Sequence, residues 1–213
     1  MVSDETWDVA VAQSGGLFLQ SFAWGVLTAR FGWGVERLAL EKARAQVLYR
    51  TLPGGLGTLA YVPKGPVADH ADLDSLRELL AGIRLLGSQQ RAICLKIEPN
   101  LEDSPVLRKQ LQDLGFRPSP QEVQPRRTIV VDLIAEPEAL LRRMKSKTRY
   151  NIRLAGRKGV TVRHGTEADL VAVYRLMEAT AQRDGFGIHT PEYYESAYRL
   201  FVRSGQGCLL LAE

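Results

Sequence analysis

The chain has 213 residues, of which 45% are apolar and 24% are charged, a composition typical of a soluble globular protein. Its formal net charge of +4 is too small to indicate a nucleic-acid-binding protein by itself, and its three histidines lack the spacing of metal ligands. Cys94 and Cys208 lie far apart in apolar runs, so we expect two buried thiols in a reducing compartment rather than a disulfide framework. No apolar run reaches the roughly 18 residues of a membrane span, and the N-terminus is too polar for a signal peptide. The sequence therefore predicts a cytoplasmic protein.

The first part of the chain alternates between helical and strand-like patterns. The predicted elements are a helix over 19–33, strands over 35–41, 45–51 and 57–62, a helix over 73–87, a buried strand over 92–97 and a helix over 104–114. Pro53-Gly54-Gly55 predicts a hairpin turn between the second and third strands, and three prolines beyond residue 117 indicate a linker. This order of elements predicts an α/β (α+β) fold with a mixed sheet, of the N-acetyltransferase (GNAT) type.

The pattern restarts after the linker. The elements predicted there are a strand over 128–133, a helix over 136–156, a short strand over 160–163, helices over 167–184 and 191–203, and a strand over 208–212. Because the same order begins again, we expect two tandem GNAT-like domains, over 1–125 and 126–213. The chain ends on a fresh apolar strand, so we expect the second domain to be incomplete and the chain to be a fragment.

A block of one charge sign lies in the predicted helix 136–156 and just beyond it. Nine Lys or Arg residues and no acidic residue occur between Arg142 and Arg163. Lys145, Arg149 and Arg153 follow steps of four and share one face, although like charges at this spacing repel by roughly 0.2–0.5 kcal/mol per pair. Arg149 also adjoins the apolar stripe, so we expect its stem to be anchored and its guanidinium fork to point outward. Such a face indicates either an anionic ligand or a solvated surface, and the absence of interleaved Glu favours the ligand.

Two predicted strands end in polar residues. Tyr61-Val62-Pro63-Lys64-Gly65-Pro66 closes one strand with a rigid loop that presents Lys64, and Glu98-Pro99-Asn100 closes the next. Polar residues at the carboxyl ends of neighbouring strands often line a cleft in α/β folds. Ordinary strand-terminating turns explain the same residues equally well.

Residues 182–187 match the Gln-x-x-Gly-x-Gly pattern with which acetyl-CoA enzymes hold a pyrophosphate. Such a loop should follow a strand and open a helix, so that the helix N-terminus faces the phosphates. Here the pattern follows a predicted helix. We therefore interpret it as a helix C-cap and a loop.

Several segments, in order along the chain, carry a resemblance to a known family. They are Leu19-Gln20-Ser21-Phe22-Ala23-Trp24, Phe31-Gly32-Trp33, Tyr61-Val62-Pro63-Lys64-Gly65-Pro66, Lys96-Ile97-Glu98-Pro99-Asn100, Leu114-Gly115-Phe116, Gln124-Pro125-Arg126-Arg127-Thr128, the stretch 144–155 and Lys158-Gly159-Val160. Together they resemble the Fem family (FemABX-like) of peptidoglycan aminoacyltransferases, which build the interpeptide bridges of the cell wall.

The resemblance implies a donor, an acceptor and a binding helix. The donor would be aminoacyl-tRNA rather than acetyl-CoA, with no cofactor and no metal. The acceptor would be the stem peptide of a UDP-linked or lipid-linked muropeptide precursor, which places the protein in the cytoplasm and peripheral to the inner face of the membrane. The helix that faces the precursor's diphosphate would carry Lys147, Arg149 and Asn151, with Arg153 beside them. Guanidinium forks suit this role because they bind phosphate oxygens in pairs.

The resemblance also implies cleft residues, which are Trp33, Tyr61, Lys64, Glu98 and Asn100. Relatives often have Asp-Pro-Tyr where this chain has Glu98-Pro99-Asn100, so one aromatic contact is absent. The basic residue implicated in catalysis lies beyond the matching segments, and no catalytic residue is assigned. Two alternatives remain open: a conventional acetyl-CoA N-acyltransferase, and a non-catalytic basic module that binds tRNA or an anionic surface through residues 142–163.

Overall fold

The computed structural model describes residues 4–125 and 127–213. The chain divides into two compact units, Met1–Arg126 and Arg127–Glu213, which we call the N-terminal unit and the C-terminal unit. The assignment of GNAT-like domains to 1–125 and 126–213, and the incompleteness of the second, stay predictions.

The N-terminal unit contains four α-helices and five strands among its described residues. The helices are α1 (Asp4–Gln13), α2 (Phe22–Arg30), α3 (Leu73–Gln89) and α4 (Pro105–Asp113), and the strands are β1 (Gly34–Ala39), β2 (Ala43–Thr51), β3 (Thr58–Pro63), β4 (Val67–Ala68) and β5 (Ala92–Glu98). Short 3-10 turns lie at Phe18–Gln20 and Pro53–Gly55. The predicted helix over 19–33 begins only at Phe22, because the Ser21 side chain caps it by accepting the Trp24 amide at 3.2 Å.

The sheet of this unit is mixed, as the element order predicts. Strands follow the order β1-β2-β3-β5, and β4 pairs with β2. The pairs β1–β2, β2–β3 and β2–β4 are antiparallel, whereas β3–β5 is parallel. Helix α3 lies between β4 and β5 in the chain and supplies the long crossover that a parallel pair requires.

The two faces of the sheet differ in character. One face packs against α3, where Val47 and Tyr49 join the apolar side of the helix around Leu79 and Ile83. Side chains alternate across a strand, so residues such as Gln46 lie on the opposite face. Cross-strand pairing of Leu48 with Tyr61, and of Tyr61 with Lys96, places those side chains on the Gln46 face as well. We call this second face the polar face.

A buried glutamine joins the N-terminal segment to the polar face. Gln20 is fully buried, and its Nε2 donates to the carbonyls of Pro63 at 2.7 Å and Gln46 at 3.3 Å. Its Oε1 accepts the Gln46 amide at 2.7 Å, and its own carbonyl accepts Trp7 Nε1 at 2.7 Å. Every polar atom of the Gln20 side chain therefore has a partner, as burial requires.

The C-terminal unit has four α-helices and one two-stranded ribbon in its described residues. They are α5 (Pro137–Arg143), α6 (Ser146–Arg157), β6 (Val162–His164), α7 (Leu170–Asp184), α8 (Pro191–Ala197) and β7 (Leu210–Ala212). A 3-10 turn over Glu167–Asp169 precedes α7, and a π-helical turn over Tyr198–Val202 continues α8. The strands predicted over 160–163 and 208–212 correspond to β6 and β7, which pair antiparallel.

The strand predicted over 128–133 does not form. These residues lie outside helices and strands, and Ile129 and Val130 are 89% and 90% exposed. Their β-branched side chains favour a strand only where a neighbouring strand and a packed face are available. Within the described residues of this unit, β6 and β7 pair only with each other.

The prediction of buried thiols is also wrong. Cys94 and Cys208 are both exposed. Strand β5, predicted as a buried strand, lies at the edge of the sheet, and Ile93 beside Cys94 is 63% exposed. An edge strand shares only one of its sides with the sheet, so an apolar run alone did not ensure burial.

Candidate functional site

The N-terminal unit brings three of the predicted cleft residues together near the carboxyl ends of β3 and β5. Strands β3 and β5 run parallel with Pro63 opposite Glu98, so both strands end at the same level of the sheet. The Tyr61 hydroxyl donates to Glu98 Oε2 at 2.6 Å. The Trp33 ring lies 6.3 Å from the Tyr61 ring, between centroids.

The Glu98 carboxylate is occupied by the protein's own chain. Its Oε1 accepts the Val123 amide at 2.9 Å, and its Oε2 accepts the Gln124 amide at 3.1 Å. Lys96 Nζ lies 3.8 Å from Oε1, and both side chains are largely buried. Residues 119–125, which we call the strap, therefore cross the end of the polar face.

Two lysines bind the strap through its oxygen atoms. Lys96 Nζ donates to the Gln121 carbonyl and, at 3.0 Å, to Ser119 Oγ. Lys64, which has a left-handed backbone with φ of 47°, donates from Nζ to the Pro125 carbonyl at 3.4 Å. The predicted cation at the sheet rim thus contacts the strap.

The Tyr61 hydroxyl keeps its proton in this arrangement and donates it to Glu98 in a hydrogen bond. Burial of the hydroxyl is the larger cause and its hydrogen bond to Glu98 the next, and together they raise the pKa of Tyr61 well above the ordinary value. The phenol therefore stays protonated at neutral pH.

Asn100 and Trp33 lie at the margins of this cluster. Asn100 is exposed in the bend after β5, and among the described contacts none joins it to Tyr61 or Glu98. Trp33 is half-buried, and the guanidinium of Arg50 lies 5.3 Å above its ring. The sequence reasoning missed Lys96 and Arg50 as members of this region. A charged residue inside an apolar strand run was the available signal for Lys96.

In the C-terminal unit, the basic block forms two helices instead of the one predicted over 136–156. Helix α5 ends at Arg143, Met144 and Lys145 are extended with ψ of 155° and 148°, and α6 begins at Ser146. Arg149 Nη1 donates to the Met144 carbonyl and, at 3.3 Å, to the Arg142 carbonyl. These carbonyls lose their helical partners at the break, and the guanidinium satisfies them.

Arg149 is therefore not wholly directed outward, as the sequence pattern led us to expect. It is half-buried, and one nitrogen of its guanidinium holds the corner between α5 and α6. Arg153 lies on the same face of α6, one helical turn further on.

The four residues assigned to the diphosphate occupy two sides of α6. Residues four apart share a face, so Arg149 lies with Arg153 and Lys147 with Asn151. At 100° per residue, Lys147 and Arg149 point about 200° apart, on opposite sides of the helix. Lys147, Asn151 and Arg153 are exposed.

Helix α6 presents a positive field. Its first turn contains no acidic residue, and Lys145 at the N-cap makes no side-chain capping bond. In the part of the chain that the structure describes, none of the Lys or Arg side chains of α6 has an acidic partner, and Arg157 lies 5.9 Å above the Tyr150 ring. The free amides of a helix N-terminus add to the attraction for an anion.

The Gln-x-x-Gly-x-Gly pattern is a helix C-cap, as interpreted from the sequence. Gly185 ends α7 in the left-handed region with φ of 73°, and its amide donates to the Ala181 carbonyl at 2.8 Å. The loop thus follows a helix C-terminus, where the exposed backbone groups are carbonyls rather than amides. This geometry is unsuited to a pyrophosphate.

No helix within residues 4–125 and 127–213 is both long and apolar enough to cross a membrane. The same residues contain no group of three or more His, Cys, Asp or Glu side chains that could hold a metal ion.

Comparison with known proteins assigns the family. The model of the FemAB family matches residues 4–213, so the chain belongs to the FemAB family. The Lipid II:glycine glycyltransferase of Staphylococcus aureus is 27% identical over 212 residues, which cover 93% of this chain and 50% of that protein. The same values hold for the protein of strain MRSA252. The chain spans about half the length of the curated relatives it matches.

The fold agrees with this assignment. A crystal structure of FemX superposes with a TM-score of 0.90 at 26% identity, over 100% of this chain and 56% of that one. The resemblance inferred from the motifs is thereby confirmed at the level of the family.

Proposed function

We propose that the chain is part of a transferase that adds an amino acid to the stem peptide of a peptidoglycan precursor, with aminoacyl-tRNA as the donor. The family match over residues 4–213 carries this proposal, because the relatives include proteins named as lipid II glycyltransferases. A lipid-linked acceptor would place the protein in the cytoplasm, at the inner face of the membrane.

The proposed reaction is an aminolysis of an ester. The amine of the stem peptide forms an amide with the aminoacyl carbonyl carbon, and the bond from that carbon to the tRNA 3′ oxygen breaks. The amine loses a proton and the departing ribose hydroxyl gains one. Since the ester is already activated, the protein mainly has to align the two substrates and stabilise the developing oxyanion.

Within this function, we assign the precursor's diphosphate to the face of α6 that carries Arg149 and Arg153. The two residues are one turn apart, and a pair of guanidinium groups at this spacing suits the oxygens of two linked phosphates. The bond of Arg149 to the corner carbonyls holds its fork in place before a ligand arrives. Less side-chain entropy is then lost on binding.

Lys147 and Asn151 lie on the opposite side of α6 and are not needed for a diphosphate held by Arg149 and Arg153. Lys147 therefore provides a natural control, since it has the same charge on the same helix. A conventional acetyl-CoA acyltransferase is disfavoured by the helix C-cap at Gly185. A non-specific basic module that binds tRNA is an outcome that the following test distinguishes.

The test compares two ligands by calorimetric titration of the chain at about 0.15 M salt, where long-range attraction is screened. One ligand is the UDP-linked muropeptide, and the other is the same muropeptide without the nucleotide diphosphate. We expect the diphosphate to strengthen binding at least about tenfold, the scale of a charge-assisted hydrogen bond.

Equal affinities for the two muropeptides would contradict the assignment of the diphosphate to α6. Binding of RNA in the absence of any muropeptide binding would favour the basic module. Acetyl-CoA binding that Gly185→Asp abolishes would favour the conventional acyltransferase.

A further inference from the structure

The strap is held to the N-terminal unit by side chains rather than by a strand ladder. Residues 119–125 belong to no helix or strand. Their amides at Val123 and Gln124 bind Glu98, and the carbonyls of Gln121 and Pro125 bind the two lysines. These contacts to strand-end side chains hold most of the strap's length.

Glu98 is the centre of this attachment. An ionised carboxylate has about four acceptor positions, and three of them receive hydrogen bonds here, from the Tyr61 hydroxyl and two strap amides. The Lys96 ammonium forms an ion pair with the same carboxylate at 3.8 Å. A carboxylate in a cleft is an ordinary candidate for a general base, but a base needs a free lone pair within reach of the acceptor amine. Here three hydrogen bonds already engage the Glu98 carboxylate, and the Lys96 ammonium lies beside its Oε1.

The strap also explains why the floor beneath it is closed. Tyr61 is only 3% exposed, and the side chains of Lys96 and Glu98 are 15% and 18% exposed. Trp33, beside Tyr61, is half-buried, and Arg50 above its ring is exposed. The polar face therefore has a covered end and an accessible end.

We propose that Glu98 is a positioning residue that fastens the strap, with Tyr61 as its auxiliary donor, and that the strap is a cover whose release exposes the Tyr61–Lys96–Glu98 floor. Such a cover needs no change in the sheet, because breaking the side-chain contacts is sufficient to open it. The inference rests on the geometry of the N-terminal unit, and it holds or fails independently of the proposed transferase activity.

Amide hydrogen exchange, measured by NMR on the intact chain, tests the fastening directly. Glu98→Gln removes the charge and half of the acceptor capacity, so exchange at Val123 and Gln124 should accelerate roughly tenfold to a hundredfold. Tyr61→Phe leaves the carboxylate in place and should produce a smaller acceleration at the same two amides. Glu102→Gln, which removes the same charge from an exposed position four residues further on, should change neither.

The buried amide of Val47 in β2 serves as the reference for global unfolding. If fastening is local, exchange at Val47 stays unchanged in all three variants. Unchanged exchange at Val123 and Gln124 in Glu98→Gln would overturn the proposal, and so would equal acceleration at Val47, since that indicates a general loss of stability. If Glu98→Gln fails to fold, Tyr61→Phe alone decides: the proposal requires faster exchange at the strap amides than in wild type.

Discussion

Replacing Gln20 by Leu should destabilise the N-terminal unit far more than an exposed Gln-to-Leu change does. Gln20 belongs to one of the segments that resemble the Fem family, and the structure gives that residue a physical role. Its side-chain amide bonds the Gln46 amide and the Pro63 carbonyl, both at 2.7 Å, in a site with no solvent access. Leu has a similar volume but neither a donor nor an acceptor.

The magnitude follows from the groups that lose their partners. Each buried backbone group left unsatisfied costs about 1–3 kcal/mol. Two groups are affected at short distance, and the added apolar burial of Leu offsets part of the loss. We therefore expect the free energy of unfolding to fall by about 2–4 kcal/mol.

The assay is urea unfolding followed by tryptophan fluorescence. All three tryptophans of the chain, at positions 7, 24 and 33, lie in the N-terminal unit, so the signal reports that unit alone. The matched control is Gln112→Leu on the exposed side of α4, which should shift stability by less than about 0.5 kcal/mol. A Gln20→Leu variant as stable as this control, with an unchanged denaturant slope, would refute the role assigned to the buried amide.

Two further predictions concern the C-terminal unit. Arg149→Ala should lower the stability of this unit by about 1–2 kcal/mol, because the carbonyls at the end of α5 lose a donor. Arg149→Lys should restore only part of that stability. If Arg149→Ala is as stable as wild type in thermal unfolding, the corner between α5 and α6 does not depend on the guanidinium. The hydrogen-bonded guanidinium of Arg163 holds the pKa of Asp169 well below its ordinary value. Stability from this pair is thus present above the unfolded pKa of about 3.9 and is lost as the pH falls through the lower folded value. Melting temperatures should decline with acidification below about pH 4, and Asp169→Asn should flatten that decline, whereas identical slopes would contradict the pairing.

Elements with a strong period and a local end signal were predictable. Helices α3 and α4 and strands β1 to β3 occur close to their predicted bounds, because the apolar spacing and the turn residues agree there. Helix α1 was missed although Trp7 and Val11, four positions apart, are both buried on it. The strand over 128–133 was wrong because a strand depends on a neighbouring strand elsewhere in the fold. The single helix over 136–156 was wrong because it breaks at Met144 and Lys145, where Arg149 satisfies the freed carbonyls, and the apolar spacing runs through that break without a signal. A lone apolar run does not reveal whether a strand will lie beside it.

The candidate site shows the same division. Two strands that end in polar residues indicated a cleft at that end of the sheet, and the structure places the Tyr61 hydroxyl against Glu98 there, a contact that the pattern did not specify. The groups that hydrogen-bond to the Glu98 carboxylate were not predictable, because the strap contributes backbone amides, which carry no signature in the sequence. The sequence motif also did not show that the basic residues of α6 lie on two sides of the helix. A motif written along the chain does not display the 200° that separates Lys147 from Arg149.

The central claim is that one face of α6 binds the diphosphate of a muropeptide precursor, and a paired titration tests it most directly. Arg153→Ala and Lys147→Ala each remove one positive charge from an exposed site of the same helix, on opposite faces. Titrated with UDP-linked muropeptide at about 0.15 M salt, Arg153→Ala should bind about tenfold to a hundredfold more weakly than wild type, and Lys147→Ala should bind within about twofold of it. Equal losses of affinity in the two variants would indicate that the helix is a non-specific basic surface. An unchanged affinity in Arg153→Ala would contradict the placement of α6 in the binding site.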